Sequence, residues 1–579
     1  YTLWTDVYPL DATFQDVEYI CLPSLLDYNS GLYKTKPLLR FTGNNFDITR
    51  AGTAKILVVS KDSIGTMFST TSLYDSLLSA IYQNYTEYSK TEDKDIEKGK
   101  TYYIFNQSIN KYEEVKEPVK DNISSYYEKN DLDELIKKYC TENSQLRFKL
   151  MYVKVADGKS EATAINISTI SDLLEINSVE GLDKYYIQTE DIDVSSISNF
   201  EPIGSLNKIG FNGNYNGNGK TIKNVRFDFT EQSKDEYSTA LFEKIGDTGI
   251  VKNLNVTIQY MNISVINGNS QNVMLAGLAV ENNGTIQDCE VYFKNSSLEI
   301  NTPNLYFGGL VAINNKDIIN SKVTGNINIA RFGGEKTAVG GLVGENTGKV
   351  EGEFKLNFAD TKMSIDTNYN VDAVITIEIK SAPSIPTGSN YGGVVGINNK
   401  NKTINQISSN AIIRLKSSSV SGLNNVGGIA GSNSGNITNV LSTATITGQE
   451  NVGGIVGTSS AGTLEHVYTL MFENYEQNDS NHISDYIKIS GENNVGGIVG
   501  YASKTTISNA IVSSYVKREI GTLFACDMQI SNDNNSQYAG GIAGKLENSS
   551  LNNSFAYLTQ QGSEKSIIGG LVGSIDAES

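Results

Sequence analysis

Short apolar segments alternate with polar turns in a pattern that repeats through the second half of the chain. One copy of the repeated motif is Gly427-Gly428-Ile429-Ala430-Gly431, followed by a polar turn and then by Ile437-Thr438-Asn439-Val440. Full copies start at Gly308, Gly340, Gly392, Gly427, Gly453, Gly496, Gly540 and Gly569, and degenerate copies start at Ala240 and Ala276. The pattern predicts an array of similar structural units.

The spacing between copies argues for strands and against helices. The motif recurs after 26 residues between Gly427 and Gly453, but after 52 residues between Gly340 and Gly392. Helical repeats keep a nearly fixed length, whereas a coil of stacked strands tolerates turns of different length. Glycine inside an apolar strand is expected where the chain bends or where another backbone comes close. We therefore expect thin, stacked coils that turn at the glycines.

One position after each turn is mostly asparagine or a polar residue of similar size. Identical amides stacked at the ~4.8 Å spacing of strands can hydrogen-bond along the stack. The sequence predicts a mainly β protein, a right-handed parallel β-helix over residues 161–579, with an asparagine ladder at a turn. Replacing Asn439 by Leu in such a ladder is expected to cost on the order of 1 to 3 kcal/mol. The predicted ladder positions are Asn253, Asp288, Asn320, Gly352, Gln406, Asn439, His466, Asn509 and Asn553.

Residues 1–160 lack the glycine motif and predict a separate, smaller α+β domain. Residues 54–60 and 146–155 have the apolar pattern of strands, and apolar residues recur at helical spacing over 73–85 and 131–140. Residues 101–116 are typical of a hairpin. No family can be assigned to this region from its sequence.

Two further features concern the predicted coil. A short helix over 168–176 is expected to cover the first coil, because an open sheet end offers unpaired backbone groups to other chains. Long inserts are predicted at 357–391, 468–494 and 512–538. If the array has a functional face, these inserts are expected to form it.

The motif resembles a known repeat. Gly340-Gly341-Leu342-Val343-Gly344 is similar to the GLUG repeat of bacterial cell-surface proteins, which also occurs in the non-catalytic region of immunoglobulin A metallopeptidases. The preceding residues share the likeness, with Ile170-Ser171-Asp172-Leu173-Leu174 and Phe211-Asn212-Gly213-Asn214 as examples. The resemblance covers roughly residues 165–579. It implies a β-solenoid scaffold and a surface location, but it does not specify a ligand.

Composition narrows the possible partners. The chain has 579 residues and a formal net charge of −18. An acidic surface disfavours nucleic acid and anionic membranes as partners. No apolar run is long enough to span a bilayer, and we expect more protein to follow the last motif copy. Cysteines at 21, 140, 289 and 526 form no CxxC pair, which disfavours a zinc or thioredoxin-like site. Cys21 and Cys140 either form a disulfide or serve as small apolar residues.

Residues suited to catalysis are scarce. The immunoglobulin A metallopeptidases use an HExxH zinc motif, but His466 and His482 are the two histidines here and neither lies in such a motif. A Ser-His-Asp site is also not indicated, because no GxSxG motif is present. Asp191 and Asp193 alternate on one predicted strand, where solvated carboxylates are favoured over a calcium site. The sequence therefore predicts no catalytic residue, no metal site and no cofactor, and leaves the binding residues unknown.

These observations favour a secreted, non-enzymatic module at the bacterial cell surface, acting as an adhesin or stalk with a role in virulence. Its expected ligand is a host or matrix protein or a glycan. One alternative is a polysaccharide lyase or hydrolase, since such enzymes use carboxylates on β-helix faces. The other is a non-catalytic, substrate-presenting segment of a larger secreted metallopeptidase. Residues 1–160, rich in tyrosine, are the first place to expect a binding surface.

Overall fold

A computed structural model gives the fold as two compact units, Tyr1–Asp157 and Gly158–Ser579. The boundary falls close to the residue 160 predicted from the sequence. The structure describes residues 17–576 except for 24–27, 30, 36, 38, 43–44, 49–51, 62–69, 84, 92–95, 97–99, 107–110, 117, 143–146, 179–180, 206–209, 231–235, 267–271, 333, 360–361, 366–367, 381–387, 418–423, 474–488, 517–526, 531–536 and 562–565.

The first unit contains antiparallel β-structure. Its main sheet has the strand order Val17–Leu22, Gly52–Ser60, Phe148–Val155. A hairpin joins Leu39–Thr42 to Asn45–Ile48. A second sheet has the order Tyr88–Lys90, Tyr127–Lys129, Tyr103–Asn106, Lys111–Glu114, and its last two strands are the hairpin predicted over 101–116.

The central strand Gly52–Ser60 is buried on both faces because its apolar residues are consecutive. Leu57 and Val59 pack into one core with the helices of the unit. Ile56 and Val58 point to the opposite face and pack into a second core. A continuous apolar run is what a strand between two layers requires, since successive side chains point to opposite faces.

The helices of the first unit follow the predicted apolar spacing. Thr70–Leu77 is α-helical and continues as a π-helical turn over Leu78–Tyr82, and Leu132–Glu142 forms the second long helix. The structure also describes a short helix at Leu32–Thr35 and a 3-10 segment at Lys120–Ser125. The first unit is therefore α+β, as the sequence predicts.

The second unit is a parallel β-helix, which confirms the predicted fold class. Three sheets, here named walls A, B and C, run along it. Wall B consists of Glu236–Thr239, Asn272–Ala276, Asn304–Gly308, Lys336–Gly340, Ser389–Gly392, Asn424–Gly427, Glu450–Gly453, Asn493–Gly496, Gln537–Gly540 and Ser566–Gly569. Wall C consists of Phe242–Ile245, Ala279–Asn282, Val311–Asn314, Val343–Asn346, Val395–Asn398, Ala430–Asn433, Val456–Ser460, Val499–Ser503, Ala543–Glu547 and Val572–Ile575.

Wall A has the most strands among the described residues, with 27. They are Ile165–Ile167, Tyr185–Gln188, Ile192–Asp193, Asn214–Asn216, Thr221–Thr230, Ile250–Lys252, Asn255–Val265, Thr285–Gln287, Glu290–Phe293, Ser296–Ile300, Asp317–Ile319, Lys322–Arg331, Lys349–Glu351, Val371–Ile379, Thr403–Asn405, Ser408–Ser409, Ile412–Ser417, Asn436–Ser442, Thr445–Thr447, Thr463–Glu473, Ile489–Gly491, Thr506–Ser508, Ile511–Val516, Asp527–Ile530, Ser550–Asn552, Phe555–Tyr557 and Thr559–Gln561.

The glycine motif forms the corner between walls B and C. A Cβ atom on Gly341, the second glycine of its copy, would lie 2.1 Å from the carbonyl oxygen of Gly393 in the next coil. The same position in the following coil, Gly393, would place a Cβ 2.1 Å from the oxygen of Gly428. Only glycine allows the corners to stack this closely. The expectation that another backbone approaches the glycines is therefore correct.

Apolar residues of the motif point into the coil. Leu310, Leu342, Val394 and Ile429 are fully buried in one continuous core. The 3-10 segment Glu161–Thr163 and the helix Ile170–Glu175 precede most of this core, and Leu173 packs into it. The predicted helix over 168–176 is thus present at the first coil.

Thr169 begins this helix through a reciprocal cap. Its side-chain oxygen accepts a hydrogen bond from the Asp172 amide at 3.2 Å, while the Asp172 carboxylate accepts one from the Thr169 amide at 2.9 Å. Such a capping box satisfies two backbone donors that a helix start otherwise leaves unpaired.

The predicted inserts are smaller than expected. Insert 357–391 begins in the hairpin Leu356–Ala359 with Lys362–Ile365, but Val371–Ile379 belongs to wall A. Inserts 468–494 and 512–538 likewise contain wall strands, and their remaining residues 474–488, 517–526 and 531–536 lie outside the described residues. The error arises because wall A strands vary in length and do not carry the glycine motif.

Candidate functional site

A buried row of asparagines runs along the end of wall C. Asn282 donates from Nδ2 to Oδ1 of Asn314 at 2.8 Å, and the same bond of the same length links each member to the next. The members are fully or almost fully buried. An amide both donates and accepts, so each one satisfies its neighbours above and below. This set, named the interior row, is Asn282, Asn314, Asn346, Asn398 and Asn433.

The interior row also holds the turn that follows wall C. Oδ1 of Asn346 accepts a hydrogen bond from the Gly348 amide at 3.2 Å, and its Nδ2 donates to the Gly348 carbonyl at 3.3 Å. Beyond Asn433 the register passes to Ser459, whose Oγ accepts from Asn433 at 3.4 Å. The sequence analysis missed this row, although asparagine stands seventh in the motif copies from Gly308 to Gly427.

The predicted asparagine ladder is a different structure. Apart from Gly352, each of its positions has a positive φ, between 44° at Asn320 and 54° at Asn439 and Asn509. All nine positions are described. One side-chain hydrogen bond links two successive members, from Asn320 Nδ2 to Asp288 Oδ1 at 2.8 Å. Other members bond elsewhere, as Asn439 does to Asn405 at 3.0 Å. The prediction of a continuous ladder here is wrong, because asparagine is favoured for its tolerance of the left-handed conformation.

We name the eight of these positions that have a positive φ the bend row, because the backbone leaves the extended conformation at each of them. His466, with φ 52°, belongs to it and is half-exposed, with Nδ1 3.8 Å from Glu465 Oε1. The structure thus places His466 at a bend of the backbone, and His482 lies outside the described residues.

Asp191 and Asp193 are held by neighbouring residues of the solenoid. Asp191 accepts hydrogen bonds from Lys223 Nζ at 2.7 Å and from the Thr221 amide at 2.9 Å. The Lys223 bond lowers the pKa of the Asp191 carboxyl. Asp193 accepts from Asn224 Nδ2 at 3.0 Å, which lowers the pKa of its carboxyl. Within the described residues, no group of three or more His, Cys, Asp or Glu side chains is arranged to hold a metal ion.

The cysteines act as small apolar residues where the structure describes them. Cys140 is a free, buried thiol, so the possible disulfide with Cys21 is not formed. Burial raises the pKa of Cys140 to about 11 and that of Cys289 to about 12. Both groups are therefore thiols at neutral pH. Cys526 lies outside the described residues.

Carboxylates are kept apart on the solenoid walls. In the described strand registers of walls A, B and C, no Asp or Glu stands directly beside another Asp or Glu of the next coil. On wall C, for example, Glu281 and Glu345 are separated by Ile313. Glu281 lies 3.3 Å from Lys244, and Glu345 lies 2.8 Å from Lys336.

One pair of acids approaches across coils just outside this register. Glu450 is in register with Asn493, and Glu492 directly precedes that residue. Burial, followed by the charge of Glu492, raises the pKa of the Glu450 carboxyl. A carboxyl with a raised pKa beside a second carboxylate is one element of a glycosidase site. In the described part of the solenoid, Glu450 and Glu492 are the pair of acids in which one carboxyl has a raised pKa next to the other.

The four-stranded sheet of the first unit carries a cluster of aromatic rings on one face. Its members, named the aromatic face, are Tyr88, Tyr103, Phe105, Tyr112 and Tyr127. Alternation along the strands and the pairings Phe105↔Tyr112 and Tyr103↔Tyr127 put the five rings on the same side of the sheet. All five are half-exposed.

The rings of the aromatic face contact one another. Tyr88 stacks on Tyr112 with 4.2 Å between ring centroids, and Tyr127 meets Tyr112 edge-on at 4.9 Å. Lys90 places its Nζ 4.6 Å from the centroid of Tyr127. These contacts hold the rings in a fixed arrangement above the sheet.

Comparisons with known proteins add little to this geometry. No protein-family model matches the chain, so the resemblance to GLUG repeats stays a prediction. Halomucin of Haloquadratum walsbyi is 33% identical over 129 residues, which is 21% of this chain but 1% of that protein. A structure described as an immunoglobulin A1 protease from Bacteroides ovatus covers 55% of this chain and 78% of its own, with 16% identity and a TM-score of 0.31. In the described residues, no helix is both long and apolar enough to cross a membrane.

Proposed function

We propose that this chain is an extracellular, non-enzymatic module of a bacterial surface protein that contributes to adhesion. In this proposal the β-helix is a stalk, and the first unit is the binding domain. The observation that carries the proposal is the contrast between the two units. In the solenoid the buried amides of the interior row are engaged in bonds between coils, whereas the first unit leaves five aromatic rings half-exposed on one face.

The solenoid has features suited to a stalk. Ten strands of wall B stack in parallel, which at ~4.8 Å per coil gives a length on the order of 45 Å. Each coil contacts its neighbours through backbone ladders and a continuous apolar core. A rigid rod of this kind separates what lies at its two ends.

An attachment assay tests the proposal. Beads coated with the full chain are expected to attach to host cells or matrix proteins, while beads coated with residues 158–579 are not. Circular dichroism of the shortened chain checks that the solenoid is folded. If the shortened chain attaches equally well, the binding face lies on the solenoid. If neither chain attaches to any cell or matrix surface, the adhesion proposal fails.

A carbohydrate-active enzyme is the second candidate, and the Glu450 and Glu492 pair is the observation that favours it. An enzyme would release reducing or unsaturated sugars from a panel of polysaccharides, and Glu450→Gln would abolish the release. We expect no sugar release from the parent chain or from the Glu450→Gln variant. The described strands of wall B that pair next to Glu450 supply no further acid. Sugar release that depends on Glu450 would replace the adhesion proposal.

A further inference from the structure

We propose that the aromatic face of the first unit binds a glycan, with pyranose rings stacked on its half-exposed rings. This inference rests on the proposed adhesion function and names the class of ligand for it. The relevant residues are the five rings of the aromatic face and the charged residues Lys90, Lys129 and Glu114 among them.

The aromatic face is not part of the cores of its unit. None of its five rings belongs to the two hydrophobic clusters that the described residues of this unit form. The residues that precede Tyr103 and Tyr127 in the chain, Tyr102 and Tyr126, are buried with ring centroids 5.8 Å apart. Because neighbouring residues point to opposite sides of a strand, the aromatic face is directed away from this buried pair.

The charged residues on the same face favour a sugar over a protein. Lys90 and Lys129 share the side of Tyr127 and Tyr88, and Glu114 shares that of Tyr103. Protein interfaces concentrate their apolar residues in a core that is depleted of charge. Here three of the four strands, all except Tyr103–Asn106, alternate a ring with an ammonium or carboxylate group on this face. This pattern suits a ligand whose rings have an apolar C–H face and an edge of hydroxyls.

The charge balance also excludes single-stranded nucleic acid, the other ligand that stacks on aromatic rings. Nucleic-acid sites require a basic groove that follows the phosphates. This chain has a net charge of −18, and Lys129 lies 3.5 Å from Glu87 while Lys100 lies 3.1 Å from Glu128. Lys129 of this sheet and Lys100 beside it thus lie close to acids, which fits neutral hydroxyl groups better than a chain of phosphates.

A glycan array with the full chain is the direct test. Tyr103→Ser removes a central ring, and its matched control is Ile104→Ser, which changes the next residue on the opposite side, where Ile104 is 43% exposed. We expect the full chain to bind a subset of the oligosaccharides. Tyr103→Ser should weaken this binding by about ten-fold or more, whereas Ile104→Ser and Tyr103→Phe should change it by less than about three-fold.

A second measurement needs no substitution and so does not depend on the folding of a variant. Tetranitromethane nitrates exposed tyrosines, and mass spectrometry locates the product. With the best oligosaccharide of the array present, nitration of Tyr88, Tyr103, Tyr112 and Tyr127 should fall several-fold, while nitration of Tyr292 on the solenoid should not change. Tyr292 is a suitable reference because it is 42% exposed. Unchanged nitration of the four tyrosines would overturn the assignment.

The two proposals fail in different ways. Suppose that the full chain attaches to cells, and that this attachment persists after enzymatic removal of the cell-surface glycans but is lost after protease treatment of the cells. The adhesion proposal then stands and the glycan site is wrong. Binding of a proline-rich peptide in place of any oligosaccharide would likewise assign the aromatic face to protein recognition. If the full chain attaches to no surface yet binds oligosaccharides on the array, the glycan site stands and the adhesion function is wrong.

Discussion

Two rows of asparagine run along the solenoid, and the same residue type is present in them for different physical reasons. In the interior row, Asn346 is fully buried and bonds to Asn314 and Asn398 through its amide. In the bend row, Asn439 is partly exposed and has a φ of 54°. The first row is determined by side-chain bonding and the second by backbone conformation. The comparison shows that a repeated asparagine is not by itself a ladder.

The largest effect is expected in the interior row. Asn346→Leu removes the acceptor of Asn314 and the donor to Asn398, so buried polar groups on both neighbouring coils lose their partners. We expect a loss of about 2 to 4 kcal/mol in the free energy of unfolding, measured by denaturant titration. The matched control is Asn315→Leu, because Asn315 is exposed and bonds to Asn283 at 2.7 Å. Equal losses for both variants would show that burial does not distinguish the two asparagines.

The bend row is tested by exchanging Asn439 for residues with opposite backbone preferences. Asn439→Val should lose about 1 to 2 kcal/mol of unfolding free energy, because a β-branched residue is strained at positive φ. Asn439→Gly should lose less than about 0.5 kcal/mol, since glycine adopts this conformation freely. Thermal unfolding of the two variants provides the measurement. A glycine variant as unstable as the valine variant would mean that the side-chain bond to Asn405 dominates.

Carboxylates on neighbouring coils lack the complementarity that lets amides stack. The raised pKa of Glu450 means that the folded state binds a proton more tightly than the unfolded chain does. Stability therefore decreases as pH rises from the pKa of this carboxyl in the unfolded chain to its higher pKa in the folded state. Glu450→Gln should therefore raise the unfolding free energy at pH 7 by less than about 1 kcal/mol, and should have little effect at pH 4. Denaturant titrations of the parent and the Glu450→Gln variant at pH 7 and pH 4 provide the measurement. A change in unfolding free energy that is larger at pH 4 than at pH 7 would contradict the assigned repulsion.

The smallest effect is expected at His466. Since this residue occupies a bend with φ 52°, His466→Asn replaces it by a residue that accepts the same conformation. We expect the melting temperature to stay within about 1 °C of the parent, with attachment to cells unchanged. Loss of attachment with an unchanged melting temperature would give His466 a functional role.

Much of the fold follows from the sequence because its strongest signals are steric. The glycines of the motif mark corners where no Cβ fits, and the apolar residues beside them mark the core. The sequence analysis places the ladder at the bend row and misses the interior row. Asn433 of the interior row lies within a polar segment, where asparagine is expected as a turn residue. Its burial becomes visible only when coils are stacked. The inserts were overestimated for a similar reason, since Val371–Ile379 joins wall A without a nearby glycine motif.

The candidate site was predicted only as a region. A high tyrosine content indicates residues 1–160, but it does not tell which rings share a face. That depends on pairings such as Tyr103↔Tyr127, between strands that are far apart in sequence. The Glu450 and Glu492 pair could not be predicted either, because the two acids are brought together by the stacking of their coils.

The unequal length of the coils has a mechanical consequence. Backbone bonds between coils run along the axis of a parallel β-helix, so a pull on one end detaches the terminal coil and then the next one. Each detached coil releases a length of chain set by its own residue count, at about 3.5 Å per residue. The 26 residues from Gly427 to Gly453 would release roughly 90 Å, and the 52 residues from Gly340 to Gly392 roughly 180 Å. Under load the solenoid would therefore lengthen in discrete steps of unequal size, each of which dissipates work while the remaining coils keep their structure.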